Sequence, residues 1–504
     1  MAGSTPPSLT CQYIGVASSN YHKEPCYPGG ELRQYLLENW LPENLFLLLC
    51  QMENSSENFW ENMTLENKWQ HINVPAIHIG GWYDMFPQGI IDGFIGYQYQ
   101  GGEGALGKSK LIMGPWTHTQ FGYNQSDAGD LTYPENQYDT FSRNMFRDMI
   151  NQYTMDDPNH PFDDWPTVTY YTMGDVDNAS AIGNEWRYSE NWPISAEETN
   201  FYFHENKLLS EDIPGDFSPI AFMYNPENPV STIGGQNLLL DQGPKDQRSV
   251  EERDDVLLFT SPVLTQPLGV TGPIKARLFV SSDCIDTDFT VKLTDVYPDG
   301  RSMLITDGIL RMRNRNGADH WEFMVPGEIY EIEVSLFSTS YVWNTGHQIR
   351  VAVSCSNSPR FLANPNTGDS IYNYYQNPTY AVAQNTLYID SEHLSYIIFP
   401  IVEETGMIKK PDNGYLYIAN KERFPTPFGK TIIIGKIIIE SPGDGYGIDR
   451  VEYYLDDTLA ETDSVAPFTW DWNTFSFGKH TIRAIQYDHL GNEVSEEMTV
   501  WKFF

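Results

Sequence analysis

Along residues 1–155, short apolar runs alternate with stretches of helical spacing. The runs at 13–17, 74–80 and 111–114 have the length of strands buried on both faces. Between the first two, residues 31–50 place Leu32, Tyr35, Leu36 and Trp40 at helical intervals. Pro87 suits the first position of a second helix, in which Ile90, Ile91, Phe94 and Ile95 form an apolar stripe. Residues 138–153 carry a third, with Phe141, Met145, Phe146 and Met149 on one side. Strands that alternate with helices predict a parallel sheet, and so an α/β region.

The pattern changes near residue 160. From Pro166 to about Val402 the period is two and turn residues punctuate it. Ile274, Ala276, Leu278 and Val280 alternate with Lys275, Arg277 and Phe279, and Phe289, Val291 and Leu293 alternate with Thr290, Lys292 and Thr294. In Tyr297-Pro298-Asp299-Gly300 the proline fixes φ and the glycine tolerates positive φ, which predicts a turn. Many strands over 161–403 predict a two-sheet β sandwich of jelly-roll type. Pro411-Asp412-Asn413-Gly414 breaks the chain, and residues 415–504 hold about seven strand candidates, so 411–504 has the size of one immunoglobulin-like β sandwich.

The 504 residues allow roughly three domains. Acidic residues outnumber basic ones 68 to 31, and a formal charge of -37 repels phosphate backbones and anionic lipid. That excludes nucleic-acid and membrane-surface roles and suits an exported or salt-tolerant protein. No run approaches the roughly 18 apolar residues that span a bilayer. Residues 1–15 lack the basic and apolar regions of a signal peptide. The cysteines at 11, 26, 50, 284 and 355 are odd in number and form no CxxC pair, so neither a zinc site nor a disulfide framework is expected. Cys355 alternates with Ile349, Val351 and Val353 and reads as core. His78 reads as a hydrogen-bonded core histidine, since no second ligand lies at metal spacing. The sequons at Asn54, Asn62, Asn124 and Asn178 match a pattern that arises easily by chance.

Two loops carry the candidate chemistry. The run 74–80 leads into Gly81-Trp82-Tyr83-Asp84-Met85-Phe86, and 111–113 leads into Gly114-Pro115-Trp116-Thr117-His118. In open α/β sheets the functional crevice lies at the carboxyl ends of strands, where Asp84 and His118 fall. An acid and a histidine on consecutive strand ends complete the chain order Ser, Asp, His of an α/β-hydrolase. In such a triad the histidine takes the serine proton and returns it to the leaving group, while the carboxylate fixes the tautomer. Two plainer readings compete: Asp84 capping the helix at Pro87, and His118 as a loop histidine beside Trp116.

The segment VPAIHIGGWYDMFPQG (74–89), followed by LIMGPWTH (111–118), resembles the CocE/NonD, or X-Pro dipeptidyl-peptidase-like, family of serine hydrolases. RDDVLLFTSPVL (253–264), residues 270–313 and NTGHQIRVAVSCSNSPRFLANPNTG (344–368) resemble that family's C-terminal jelly-roll domain. Residues after 415 resemble a bacterial Ig-like module, which suggests an extracellular or cell-surface protein. The resemblance implies that Asp84 is the acid, His118 the base, Phe86 a wall of the acyl pocket, and 20–70 a helical cap. It implies a small acyl ester or amide substrate and no cofactor. The loop after Asp84 offers Met85, Phe86, Pro87 and Gln88 rather than further carboxylates, which favours an ester or glutaryl-type acyl group over an aminoacyl one.

The family's nucleophile is a serine in a G-x-S-x-G elbow, and no such motif occurs in this chain. Ser4 does not substitute: no strand precedes it, and Pro6 and Pro7 forbid the helix that follows an elbow. Residues 1–18 instead resemble the stretch just past the elbow, so the expectation is a partial α/β-hydrolase over 1–160, inactive alone. Three classes remain: the C-terminal portion of a serine acyl hydrolase, with the nucleophile on a separate upstream polypeptide or lost; a non-enzymatic carbohydrate- or partner-binding protein; and a hydrolase with an unorthodox nucleophile.

Overall fold

A computed structural model of the chain describes residues 2–53, 58–120, 126–155, 157, 162–179, 181–215, 218–317, 320–402, 408–426, 429–441, 448–488 and 493–504. It divides into two compact units, one of residues 1–186 and 191–402 and one of 187–190 and 403–504. Asn54 and Asn124 lie outside the described residues. Among the described residues no helix is long and apolar enough to cross a membrane.

The first unit opens with a parallel sheet. Its strands β1 (Gln12–Gly15), β2 (Ala76–Tyr83), β3 (Lys110–Thr117) and β4 (Val168–Thr172) lie side by side in that order, all parallel. Every residue of β2 and β3 is buried, as the unbroken apolar runs predict for a sheet covered on both faces. Helix α3 (Pro87–Gln100) begins with its proline in the first turn and buries Ile90, Ile91 and Phe94 against the sheet. Helix α4 (Ser142–Thr154) buries Met145 and Met149.

Three expectations are corrected. The single helix over 31–50 is two, α1 (Gln34–Trp40) and α2 (Glu43–Gln51), because Pro42 lacks an N–H and holds Leu41 extended. The strands reach further than their apolar runs: Gly81, Trp82 and Tyr83 complete β2, and Gly114 to Thr117 complete β3. His78 is a core residue, but neither ring nitrogen finds a hydrogen-bond partner. Burial drives its pKa down to about 3, so the ring is neutral, and it packs 4.8 Å from the Tyr97 ring.

Most of the rest of this unit is antiparallel β structure in a seven-stranded and a four-stranded sheet. Ile274, Ala276, Leu278 and Val280 are fully buried, as their alternation predicts, and Gly300 closes its turn at φ +90°. The strand Asp288–Val296 departs from simple alternation, being buried on both faces. Lys292 donates to Gln247 Oε1 at 3.0 Å inside it, and burial pushes its ammonium down to about 8. None of the five cysteines is paired, and Cys26, Cys50 and Cys355 are buried.

In the second unit, strands β5 (Tyr415–Ile418), β6 (Thr431–Ile434), β7 (Phe477–Asp488) and β8 (Glu493–Phe503) belong to one seven-stranded sheet. Its core gathers Tyr417, Ile433, Tyr453, Trp470, Trp472 and Val500.

Candidate functional site

The register of β2 and β3 brings the two candidate residues together. Ile79 pairs with Ile112 and Gly81 with Gly114, then an irregularity brings Tyr83 opposite Thr117. The chain leaves the two strands at the same level, and the next residues are Asp84 and His118. The irregularity depends on Gly81, where a Cβ would lie 2.1 Å from the Trp116 carbonyl oxygen. No other residue allows the two backbones this close.

Asp84 is completely buried, and its two oxygens do different work. Oδ1 accepts the Phe86 backbone N–H at 2.7 Å, which ties down the turn before α3. Oδ2 lies 2.6 Å from His118 Nδ1. The capping reading of Asp84 is corrected: the N-cap of α3 is Phe86, no side chain caps it, and Asp84 instead closes the turn that precedes the helix. A carboxylate only accepts, so a contact to it takes the proton on Nδ1, and in the neutral ring that tautomer leaves the lone pair on Nε2. Nε2 bonds no described residue, and the His118 side chain is 23% exposed. One nitrogen is anchored, and the other meets no partner among the described residues. That arrangement can accept a proton from a nucleophile and return it.

Neighbouring groups hold the two loops. The Phe86 ring meets His118 edge to face at 6.2 Å. Phe86, Met85, Leu36 and Leu238 form an apolar cluster beside the pair. Arg33, buried, donates from Nη1 to the Met85 carbonyl at 3.0 Å. Gln236 donates to the Trp82 carbonyl at 3.3 Å, and Gln120 Oε1 accepts the Thr117 N–H at 2.9 Å. Trp116 is buried and donates to Gln137 Oε1 at 2.7 Å, which fixes the end of β3 two residues before His118. Ser4 is exposed in a 3₁₀ turn and makes no hydrogen bond to His118.

The sequence reading missed Arg33, Leu36 as a site residue, Gln236 and Leu238. Leu36 showed only as part of a helical stripe, and Arg33 carried no reading of its own. Gln236 and Leu238 come from the β-rich segment more than 100 residues downstream, and no local spacing links them to Asp84.

A parallel sheet bearing a carboxylate–imidazole pair at adjacent strand ends, followed by a β-rich region, is the architecture of one class of hydrolases. Residues 5–120 match the model of the X-Pro dipeptidyl-peptidase (S15) family, residues 159–398 that of the X-Pro dipeptidyl-peptidase C-terminal non-catalytic domain, and residues 440–484 a bacterial Ig domain. Cocaine esterase of Rhodococcus sp. (strain MB1 Bresler) is 34% identical over 363 residues, 69% of this chain and 60% of that protein. Among solved structures, an α-amino acid ester hydrolase superposes with a TM-score of 0.69 at 21% identity, covering 80% of this chain and 74% of that one. An aminopeptidase from a marine sediment Thaumarchaeota archaeon gives 0.66 at 23%, covering 79% and 73%. The chain belongs to the S15/CocE family and carries a C-terminal Ig-like module. It spans 60% of the length of cocaine esterase.

Proposed function

We propose that this chain is the carboxy-terminal portion of a serine acyl hydrolase that cleaves ester or amide bonds through an acyl-enzyme. Asp84 orients His118, His118 acts as general base and then general acid, and Phe86 walls the acyl pocket together with Leu36 and Leu238. The single observation that carries this reading is the 2.6 Å contact between Asp84 Oδ2 and His118 Nδ1, with no described residue bonded to Nε2. Residues 1–160 serve as part of the catalytic domain, with 20–70 as its cap, 161–403 as the β domain and 411–504 as the Ig-like domain. The apolar loop at Met85 and Phe86 suits an ester or glutaryl-type acyl group. The Ig-like module and the charge of -37 fit a site of action outside the cell.

The serine comes from outside these 504 residues, because the chain holds no G-x-S-x-G elbow. In a serine hydrolase, loss of the nucleophile alone lowers kcat by roughly a million-fold. The test is hydrolysis of p-nitrophenyl acetate and butyrate, first by the chain alone and then by the chain joined to a G-x-S-x-G-bearing amino-terminal segment. We expect silence from the chain alone and turnover from the joined protein that His118→Ala abolishes. Turnover by the chain alone, or joined activity indifferent to His118, overturns the reading.

A further inference from the structure

One end of the outer face of the large sheet in the second unit is apolar and aromatic where a solvated sheet face is ordinarily polar. Strands β5, β6, β8 and β7 are neighbours in that order, and paired residues point to the same side. One row across them reads Ile418, Ile434, Phe503 and Phe477. The row beside it reads Leu416, Ile432, Trp501 and Lys479. The intervening residues Tyr417, Ile433 and Lys502 are buried, Lys502 with its ammonium over the Trp472 ring, so the opposite face already packs against the core and these rows are not needed for it. Phe477 is 67% exposed, and its ring meets Phe503 edge to face at 5.2 Å.

Trp501 also lines a cleft of about 440 Å³, with Asn413, Lys430, Lys479, Glu497 and Thr499. Lys430 Nζ sits 5.2 Å above the indole ring. Glu496 lines the same cleft, so two lysines face two glutamates and the local charge balances. The cleft thus joins a flat aromatic surface to donors and acceptors of both signs without a net field. A wholly apolar partner would strip water from the ammonium and carboxylate groups without replacing it, and burying such charges unpaired is costly. A polyanion gains nothing from a balanced site on a protein of charge -37. A pyranose fits both halves, its C–H face stacking on aromatic rings and its hydroxyls bonding amide, ammonium and carboxylate. An exposed apolar patch of this kind marks an interaction surface.

We propose that this face binds a neutral polysaccharide, with Trp501 and Phe477 as stacking platforms and Asn413, Lys479 and Glu497 bonding its hydroxyls. The proposal stands independently of the hydrolase reading. The test is affinity electrophoresis of the full chain through gels containing hydroxyethylcellulose, xylan, galactomannan or laminarin, with alginate as the polyanion. At least one neutral polysaccharide should retard the chain, and Trp501→Ala should weaken retardation at least tenfold. Phe477→Ser, at an exposed position that leaves the core untouched, should weaken it several-fold with an unchanged melting curve. No retardation in any neutral gel, retardation in alginate alone, or retardation that survives both substitutions overturns the proposal.

Discussion

Glu24 offers a stability test of the packing beneath the candidate site. It is buried in the His22–Cys26 turn, against the first turn of α3, where a Cβ on Gly89 would lie 2.0 Å from its Oε2. Burial, then the charge of Asp92, push its carboxyl up to about 8, and Ser18 and Arg33 offset this only in part. Between pH 4.5 and 8 the folded protein holds a neutral acid where the unfolded chain holds a carboxylate. A carboxyl whose folded pKa is raised binds more protons folded than unfolded. Stability is therefore greatest at low pH and falls as pH rises from 4.5 to 8. At about 1.4 kcal/mol per pH unit, the cost at pH 7 is about 3 kcal/mol. Glu24→Gln keeps the shape and the neutral state and removes that cost, while one unpaired amide hydrogen takes back about 1 kcal/mol. We expect a net gain of about 2 kcal/mol at pH 7, and at pH 4.5 no gain or a slight loss. Calorimetric melting of both proteins from pH 4.5 to 8 reads the difference directly, with the gap widening by a few degrees as pH rises. Parallel melting curves across that range would refute the reasoning.

Asp84→Asn keeps the acceptor for the Phe86 N–H but points an amide N–H at His118, which reverses the ring tautomer. In the joined protein kcat should fall about 10⁴-fold with KM little changed; a loss under tenfold would remove Asp84 from the acid role. His347 is buried with Nδ1 2.9 Å from Asp295 and Nε2 3.3 Å from Asp175. Burial lowers its pKa, but the hydrogen bond and charge of Asp295, then those of Asp175, outweigh this and leave it above the ordinary 6.5. Its stabilisation is complete below pH 6.5 and lost as pH rises through the raised value, so urea midpoints should show His347→Gln costing more at pH 6 than at pH 9. An equal cost at both would count against the ion pair. Gly81→Ala forces a methyl to 2.1 Å from the Trp116 carbonyl and should cost about 3 kcal/mol in urea unfolding. A loss below about 1 kcal/mol would show that the two backbones separate easily.

The parts of this fold that were legible are those whose cause is local. The buried strands show as unbroken apolar runs, the start of α3 as Pro87, and the turn at Gly300 as a proline followed by a glycine. Errors arose where the cause was not local. The run rule stopped β2 at Gly80 because glycine, tryptophan and tyrosine look like loop residues, yet the close passage of β3 extends the strand to Tyr83. The alternation in 288–296 suggested one wet face, but another segment of the chain covers it and brings Gln247 to Lys292.

The same division explains the candidate site. Asp84 and His118 could be found because parallel strands deliver their carboxyl ends to one edge, so sequence order along the sheet becomes proximity in space. The residues that fix their geometry obey no such rule. Arg33 reaches Met85 from the segment before α1, and Gln236 reaches Trp82 from far downstream. Both bond backbone carbonyls, which every residue has, so nothing in the loop's own sequence announces them. A backbone contact leaves no trace in the identity of its acceptor, and supporting residues of this kind emerge only from the folded chain. In the proposed reading the Asp84–His118 pair is a proton relay, and Arg33 and Gln236 brace the backbone on either side of Asp84. Their loss should therefore loosen the Asp84 loop before it unfolds the sheet.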